Sequence, residues 1–344
     1  MTIDKALILV TVVLMVYIFI DFFVVRQDVS SILVNVNVEK DTFIEHEQTM
    51  LSNQLHISQT TRNPQVSAYQ WNGTFSLSNI CDHSEKVNPN CLYFYKSYPV
   101  FLYDKKLDRF VSRQIMKTGF WKPALSKAIL RVMKKYPDMM FVDIGGGLGM
   151  FSLEIGMEGF DAILVDPSVA NVQRFCASVK LKHMKGSVSI VLNPLSSRHE
   201  TLHMAAESDR LSEWFIMDDN PLKMAQTNSS SLSLTANVVA TTLDDLLYLP
   251  ELRPSRSLVV YLDTAGYDEK VLRGGEFFFS LKKITILFTD WKYNRNPIYS
   301  GNIMKYLVFR GFQPFDINFR ISLLEKQQSD WPETIAWINK SFRM

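Results

Sequence analysis

A glycine-rich segment between two apolar runs has the residue types of a nucleoside-binding loop. Its letters, DIGGGLG, place Gly145, Gly147 and Gly149 after Asp143 in the pattern D-x-G-x-G-x-G. Glycine has no Cβ, so a backbone built from it can turn tightly and approach a ligand closely. Asp166 ends the next apolar run, and a carboxylate there can accept hydrogen bonds from both hydroxyls of a ribose. These residues predict a ligand that carries a nucleoside.

Two kinds of ligand use such a loop. A dinucleotide fingerprint, G-x-G-x-x-G/A, would begin at Gly145 and place Met150 where a small residue is needed for the helix to pack on the strand. S-adenosylmethionine has no pyrophosphate, and Asp143 would lie beside its charged amino-acid end. The pattern therefore favours S-adenosylmethionine as the cofactor over a nicotinamide dinucleotide.

A second segment, RHETLHM, contains His199, Glu200 and His203 in the order H-E-x-x-H. On a helix this order is typical of a zinc peptidase, because the two imidazoles share one face. Here Leu202 and Met204 alternate with polar residues, which predicts a strand, and on a strand the two histidines would be about 13 Å apart. The zinc peptidase is thus a remote alternative, and no metal site is predicted.

Short apolar runs alternate with helical patterns from residue 139 onward. The runs DAILVD, SLVVYLD and KITILFTD each end in an acidic residue, and SVANVQRFCASVKL, between two of the runs, has helical periodicity. Such strands are typical of a parallel sheet covered by helices, with the ligand at the carboxyl ends of the strands. The predicted fold class is α/β, a Rossmann-like, doubly wound and mostly parallel sheet, with an antiparallel hairpin near the end of the chain.

Several segments together match one known family. The chain resembles the FkbM-like S-adenosylmethionine-dependent methyltransferases in FVDIGGGLGMFSLEIG, AILVDPSVANVQRF, IVLNPLSSRHETL, VVATTLDDLL, VVYLDTAGYDEKVLRGG and ITILFTDW. The resemblance implies a Rossmann-like sheet and transfer of a methyl group, usually to a hydroxyl oxygen on a sugar or small molecule. It also adds Asn193 to the expected donor-binding residues.

Methyl transfer to a hydroxyl requires that a base take the proton. Asp263 and Asp290 both end apolar runs on the expected ligand side, and they are the candidate catalytic residues. Where the family commonly has I-D-V-E-G, this chain has L-D-T-A-G, so Ala265 stands in place of an expected acid. That departure keeps open a second hypothesis, a catalytically inactive methyltransferase-like binding module.

The whole chain has the composition of a globular protein with one membrane segment. Residues 6–25 are apolar except for Asp21 and would span about 30 Å as a helix, which predicts an uncleaved signal anchor. Residues 1–5 are then a short tail, residues 26–90 a polar stalk and residues 91–344 the methyltransferase domain. With 37 basic and 35 acidic residues the net charge is +2, which argues against nucleic acid as a partner.

Cysteines and glycosylation sequons bear on which side of the membrane the domain lies. Cys81 and Cys91 bracket a polar loop that could close as a disulfide in an oxidising compartment, whereas Cys176 is expected to be a buried apolar residue. Sequons occur at Asn72, Asn228 and Asn339. We therefore predict a single-pass type II membrane protein with its domain in the lumen of the endoplasmic reticulum or Golgi, acting on a glycan or small molecule. A cytosol-facing domain with three free thiols is the alternative.

Overall fold

The computed structural model describes residues 66–88, 91–217, 232–252, 256–324 and 327–342. The predicted tail, the predicted anchor and most of the predicted stalk lie outside these ranges. Within them, no helix is both long and apolar enough to cross a membrane.

The described residues form strands and helices in alternation. In chain order the strands are β1 Val66–Trp71, β2 Phe75–Leu77, β3 Leu92–Tyr95, β4 Tyr98–Phe101, β5 Met140–Ile144, β6 Ala162–Val165, β7 Val188–Val191, β8 Leu195–Ser196, β9 Glu200–Glu207, β10 Phe215–Ile216, β11 Leu232–Thr242, β12 Leu258–Leu262, β13 Ile284–Asp290, β14 Phe312–Phe315 and β15 Thr334–Asn339. The α-helices are α1 Val111–Thr118, α2 Pro123–Lys135, α3 Met150–Glu158, α4 Val169–Leu181, α5 Asp268–Arg273, α6 Glu276–Leu281 and α7 Pro297–Phe309. Short 3₁₀ helices cover Ile80–Lys86, Asp244–Tyr248 and Gln328–Asp330.

Nine of the described strands form the main sheet, in the order β14-β15-β13-β12-β5-β6-β7-β1-β2. The six strands from β13 to β1 in this order are parallel, and β15 runs antiparallel between β13 and β14. The chain runs outward from β5 through β6 and β7, and later returns to fill the other side with β12 and β13. This reversal makes the carboxyl ends of β5 and β12 the switch point of a doubly wound sheet. The predicted fold class and the terminal hairpin are confirmed.

The fold extends further toward the amino terminus than the sequence predicted. β1 pairs in parallel with β7, so that Val66 lies opposite Val188 and Tyr69 opposite Val191. Residues 66–88 therefore belong to the domain, and the predicted boundary at residue 91 is wrong. The strand VSAYQW is short, lies next to the sheet edge and mixes polar with apolar residues, which is why it resembled the polar stalk.

A smaller sheet in the order β10-β9-β11-β8 carries the H-E-x-x-H segment. Glu200 begins β9, and His203 lies opposite Asn237 of β11 in an antiparallel pair. The strand prediction for this segment is confirmed, because β9 buries Leu202 and Met204 on alternate positions.

The disulfide of the described residues joins Cys81 to Cys176, with sulfurs 2.04 Å apart and Cα atoms 5.2 Å apart. The expected pair of Cys81 with Cys91 is wrong, and Cys91 is a buried free thiol. The 3₁₀ helix that carries Cys81 packs on α4, which brings its sulfur to Cys176. Nearness along the chain did not determine nearness in space.

Candidate functional site

The glycine-rich loop joins β5 to α3 and turns against the end of β12. Gly145, Gly147 and Gly149 have φ of +74°, +57° and +71°, values in the left-handed region that other residues disfavour. A Cβ on Gly145 would lie 2.0 Å from the backbone oxygen of Asp263, and one on Gly149 would lie 2.4 Å from the ring of Phe175. Glycine is therefore required here both for the turn and for the close packing.

A cavity lies beside this loop, at the carboxyl ends of the central strands. The centres of water-sized molecules can occupy about 110 Å³ of it. Its walls come from Gly145 and Gly147, from the residues that follow β6, β7 and β12, and from the segment around β10. The structure thus places a cavity at the switch point, where doubly wound sheets bind ligands.

Asp166 follows β6 and lines this cavity. Its Oδ1 accepts hydrogen bonds from the backbone N–H of Ser168 (3.0 Å) and from Nδ2 of Asn171 (3.1 Å), and its Oδ2 accepts one from the backbone N–H of Gly147 (2.8 Å). Burial raises the pKa of this carboxyl to about 7, although these donors oppose the shift. The carboxylate is fixed by the loop that it borders, and of its roughly four acceptor positions one, on Oδ2, is left for a further donor.

Asp143 lies away from the cavity. β5 continues one residue beyond it, and its side chain is fully buried under the first turn of α3. There its Oδ2 accepts hydrogen bonds from N–H (3.3 Å) and Oγ (2.8 Å) of Ser152, while its Oδ1 has no hydrogen-bond partner within the described chain. Burial raises the pKa of Asp143 to about 7. In this position its hydrogen bonds with Ser152 link the end of β5 to the first turn of α3.

Asn193 lines the cavity, but its amide is engaged with the fold. Oδ1 accepts a hydrogen bond from the backbone N–H of Trp71 (2.7 Å), and Nδ2 donates to the backbone oxygens of Trp71 (3.3 Å) and Val239 (2.9 Å). Both amide protons are used in this way. Asn193 therefore ties β1 and β11 to the end of β7 and shapes the cavity wall.

The two predicted catalytic carboxylates meet at one lysine. Lys122 Nζ donates to Oδ2 of Asp263 (2.9 Å) and to Oδ2 of Asp290 (2.7 Å). The hydroxyl of Tyr261 donates to the same oxygen of Asp263 (2.8 Å) and accepts from Lys122 (2.7 Å). Burial alone would lower the pKa of Lys122, but the charges of the carboxylates raise it well above its ordinary value. The ammonium therefore stays protonated between them.

These two carboxylates differ in what they leave free. Asp290 uses its Oδ1 to accept the backbone N–H of Lys292 (3.0 Å), so both its oxygens are engaged, and it does not line the cavity. Burial and the charge of Asp263 raise its pKa. Asp263 does line the cavity, its side chain is 24% exposed, and its side-chain hydrogen bonds within the described chain all go to Oδ2. Its Oδ1 is the oxygen available to a ligand.

Sequence patterns did not reveal Lys122. It directly precedes Pro123 at the start of α2 and has a φ of +39°, a left-handed conformation that costs about 1–2 kcal/mol. Its neighbour Trp121 lines the cavity. A single lysine before a helix carries no local signal, because its role arises only when the fold brings α2 to the ends of β12 and β13.

Two further polar groups in the cavity wall were also missed. Oγ of Ser212 and Nε1 of Trp214 are buried and have no hydrogen-bond partner within the described residues. Such groups cost free energy unless a ligand or water satisfies them. Together with the glycine-rich loop, which allows close approach to the backbone, these two groups make the cavity suitable for a polar ligand.

Ala265 lies at the cavity with a φ of +53°. The nearby carboxylate is that of Asp268, which is buried and accepts hydrogen bonds from the backbone N–H of Thr264 (2.9 Å) and from its hydroxyl. Burial raises the pKa of Asp268 to about 7. Asp268 thus fixes the loop after β12 through its hydrogen bonds with Thr264. Ala265, where an acid was expected, presents only a methyl group.

His199 contacts other side chains of the fold. Its Nε2 lies 2.7 Å from Oδ2 of Asp245, and its ring stacks on Trp71 with centroids 5.0 Å apart. The described residues contain no group of three His, Cys, Asp or Glu side chains that could hold a metal ion. The zinc-peptidase alternative therefore has no support in this part of the chain.

Comparison with known proteins gave similarities to solved structures alone, since no family model and no curated protein matches the chain. The magnesium protoporphyrin IX methyltransferase of Synechocystis PCC 6803 with bound SAM is 13% identical, with 67% of this chain and 84% of that chain covered and a TM-score of 0.35. The same protein with bound SAH gives 12% identity, coverage of 67% and 87%, and a TM-score of 0.32. At such low values the fold assignment rests on the strand order of this chain itself.

Proposed function

We propose that the chain is an S-adenosylmethionine-dependent methyltransferase that methylates a hydroxyl of a glycan or small molecule. The observation that carries this proposal is the cavity at the switch point, in which the glycine-rich loop and the Asp166 carboxylate lie side by side. Methyltransferases share this arrangement with other nucleoside-binding Rossmann-like proteins, and the absence of a G-x-G-x-x-G/A pattern favours the methyl donor.

The residues at the cavity suit such a donor. Asp166 would accept a ribose hydroxyl at its remaining acceptor position, and Gly145 and Gly147 allow the ligand to approach the backbone. Ser212 and Trp214 each offer a buried donor that has no protein partner within the described residues. When bound, S-adenosylmethionine supplies an already activated methyl group, so the protein chiefly has to position the reactants.

Asp263 is the residue proposed to act on the acceptor. Its Oδ1 has no side-chain hydrogen bond within the described residues, so this oxygen can accept a hydrogen bond from the hydroxyl of the acceptor and then take its proton. Lys122 and Tyr261 hold the other oxygen and so fix the orientation of the carboxylate. Asp290 has no free oxygen, and its proposed role is to position Lys122.

The proposal for the whole chain is a type II membrane protein with this domain in the lumen. The support is the disulfide between Cys81 and Cys176, which is typical of an oxidising compartment. Asn72 lies exposed in the turn between β1 and β2, where a glycan can be attached.

A second candidate is a methyltransferase-like module that binds the donor without turnover. The observation that favours it is Ala265, which presents a methyl group to the cavity where an acid is expected. The two candidates share the donor site and differ only in transfer to an acceptor.

A label-transfer experiment separates them. The full chain is incubated with donor labelled in its methyl group and a membrane extract that contains glycans and glycolipids. We expect the label to appear in an alkali-stable ether with the wild type and to be lost with Asp166→Asn. The control is Asp138→Asn, which should retain transfer, because Asp138 is an exposed carboxylate that precedes β5 at the amino end of this strand. Donor binding without transfer would favour the inactive module, and absence of binding would contradict both candidates.

A further inference from the structure

The walls of the cavity carry acids and no bases. Asp166, Glu213 and Asp263 line it, and no lysine, arginine or histidine of the described residues does. Lys292 is exposed, with its ammonium 5.1 Å from the ring centroid of the cavity residue Tyr293, so water and salt screen its charge.

Two of these acids share a cation with a second carboxylate. Asp263 shares Lys122 with Asp290, at 2.9 and 2.7 Å. Glu213 shares Arg210 with Glu207, at 3.4 and 3.5 Å. The cluster of Asp263, Asp290 and Lys122 therefore has a net charge of −1 when its acids are ionised.

Among the described residues Asp166 has no cationic partner, since its three hydrogen bonds come from backbone and amide N–H groups. Its charge is stabilised by dipoles alone, and a positive ligand would stabilise it further. The three acids together give the cavity a negative potential.

Aromatic side chains make up much of the remaining wall. They are Trp121, Phe151, Trp214, Phe215, Tyr261 and Tyr293. Burial and the charge of Asp263 raise the pKa of Tyr261 well above its ordinary value, so this phenol stays neutral. Aromatic faces attract cations and add no competing positive charge.

We propose that this cavity selects its ligand by positive charge: it binds the cationic sulfonium donor more tightly than the neutral thioether that remains after methyl transfer. The proposal rests on the proposed function, because it assumes that the donor binds here. The consequence is weak product inhibition. Methyl transfer removes the sulfonium charge, so the cavity binds the product, S-adenosylhomocysteine, with lower affinity.

Lys122 sets the strength of this selection. It neutralises one charge of the pair Asp263 and Asp290 from outside the cavity lining. Removing its charge makes the cavity more negative, whereas removing the charge of Asp263 makes it less negative. The two substitutions therefore shift selection in opposite directions, which general damage to the site would not do.

The test is calorimetric titration of the full chain with three ligands: S-adenosylmethionine, S-adenosylhomocysteine, and sinefungin, which has a protonated amine in place of the sulfonium. We expect the neutral S-adenosylhomocysteine to bind about tenfold more weakly than the other two. The ratio of the dissociation constant of S-adenosylhomocysteine to that of S-adenosylmethionine should fall toward one in Asp263→Asn and increase in Lys122→Gln. Asp138→Asn should leave this ratio unchanged.

The outcomes are distinguishable. Equal or tighter binding of S-adenosylhomocysteine by the wild type overturns the inference and leaves the proposed function standing. A shift of the ratio in the same direction by Asp263→Asn and Lys122→Gln also overturns it. If none of the three ligands binds, the proposed function fails together with the inference.

Discussion

Asp166 lies where ionisation is costly until a ligand arrives. Its carboxyl is buried, and burial raises its pKa to about 7. The raised pKa means that ionisation of Asp166 in the empty protein destabilises the fold as the pH rises through about 7. A ligand that donates hydrogen bonds to the ionised form recovers this free energy, so proton release and donor binding are linked.

Donor affinity should accordingly increase with pH. If only ionised Asp166 accepts the ribose hydroxyls, the dissociation constant for S-adenosylmethionine should fall about tenfold between pH 6 and pH 8. Titration calorimetry across this range measures the effect, and Asp166→Asn should remove that part of the pH dependence. A wild-type profile that matches the variant at each pH would show that Asp166 does not titrate on binding.

At the scale of residues, the sequence predicted which residues lie near the site better than it predicted the direction of their side chains. Asp166 and Asp263 were predicted and line the cavity, because Asp166 directly follows β6 and Asp263 directly follows β12, and the cavity lies at the carboxyl ends of these strands. Asp143 was predicted to lie at the ligand, but it does not line the cavity, because its side chain is buried beneath α3 and accepts hydrogen bonds from Ser152. Lys122 and Ser212 were missed, because neither belongs to a pattern that sequence alone can show.

At the scale of elements, the strands with continuous apolar runs were predictable and the edge was not. β5, β6, β12 and β13 are buried along their whole length, and most of their residues are apolar. β1 lies next to the edge of the sheet and is only partly buried, so its mixed polar and apolar sequence resembles that of a stalk. The contact between the 3₁₀ helix Ile80–Lys86 and α4 could not be predicted from the sequence either, because Cys81 and Cys176, which it brings together, are 95 residues apart.

That contact yields a prediction about stability. A disulfide that closes a loop of this length contributes about 4 kcal/mol through the entropy of the unfolded chain, so Cys81→Ser should lower the free energy of unfolding by about that amount. Denaturant unfolding of the oxidised full chain measures it. Cys176→Ser should give the same loss, and the double variant should lose little more, because both single variants remove one bond.

Peptide mapping without reduction provides the structural control. It should recover a peptide pair linked through Cys81 and Cys176, with Cys91 in a free peptide. A pair linked through Cys81 and Cys91 would contradict the contact between the 3₁₀ helix and α4.

At the scale of the whole molecule, the remaining question is the compartment that the domain occupies. The predicted anchor lies outside the described residues, so its test has to be biochemical. Asn72 is exposed in a turn, whereas the Asn339 side chain accepts hydrogen bonds from Ser341 and is partly buried. Asn72 is therefore the better glycosylation site of the two.

A luminal domain should carry a glycan on Asn72. We expect the full chain, made in cells with a secretory pathway, to shift on a gel after endoglycosidase treatment, and Asn72→Gln to reduce that shift. A chain that does not shift at all would indicate that this domain faces the cytosol.

The central claim is that the cavity at the switch point binds S-adenosylmethionine, and calorimetric titration of the full chain with this ligand tests it most directly. The account predicts saturable binding to the wild type and about 100-fold weaker binding to Asp166→Ala, because hydrogen bonding to a charged group is lost. Asp138→Asn should bind as the wild type does. No saturable heat with the wild type, or undiminished binding to Asp166→Ala, would contradict the claim.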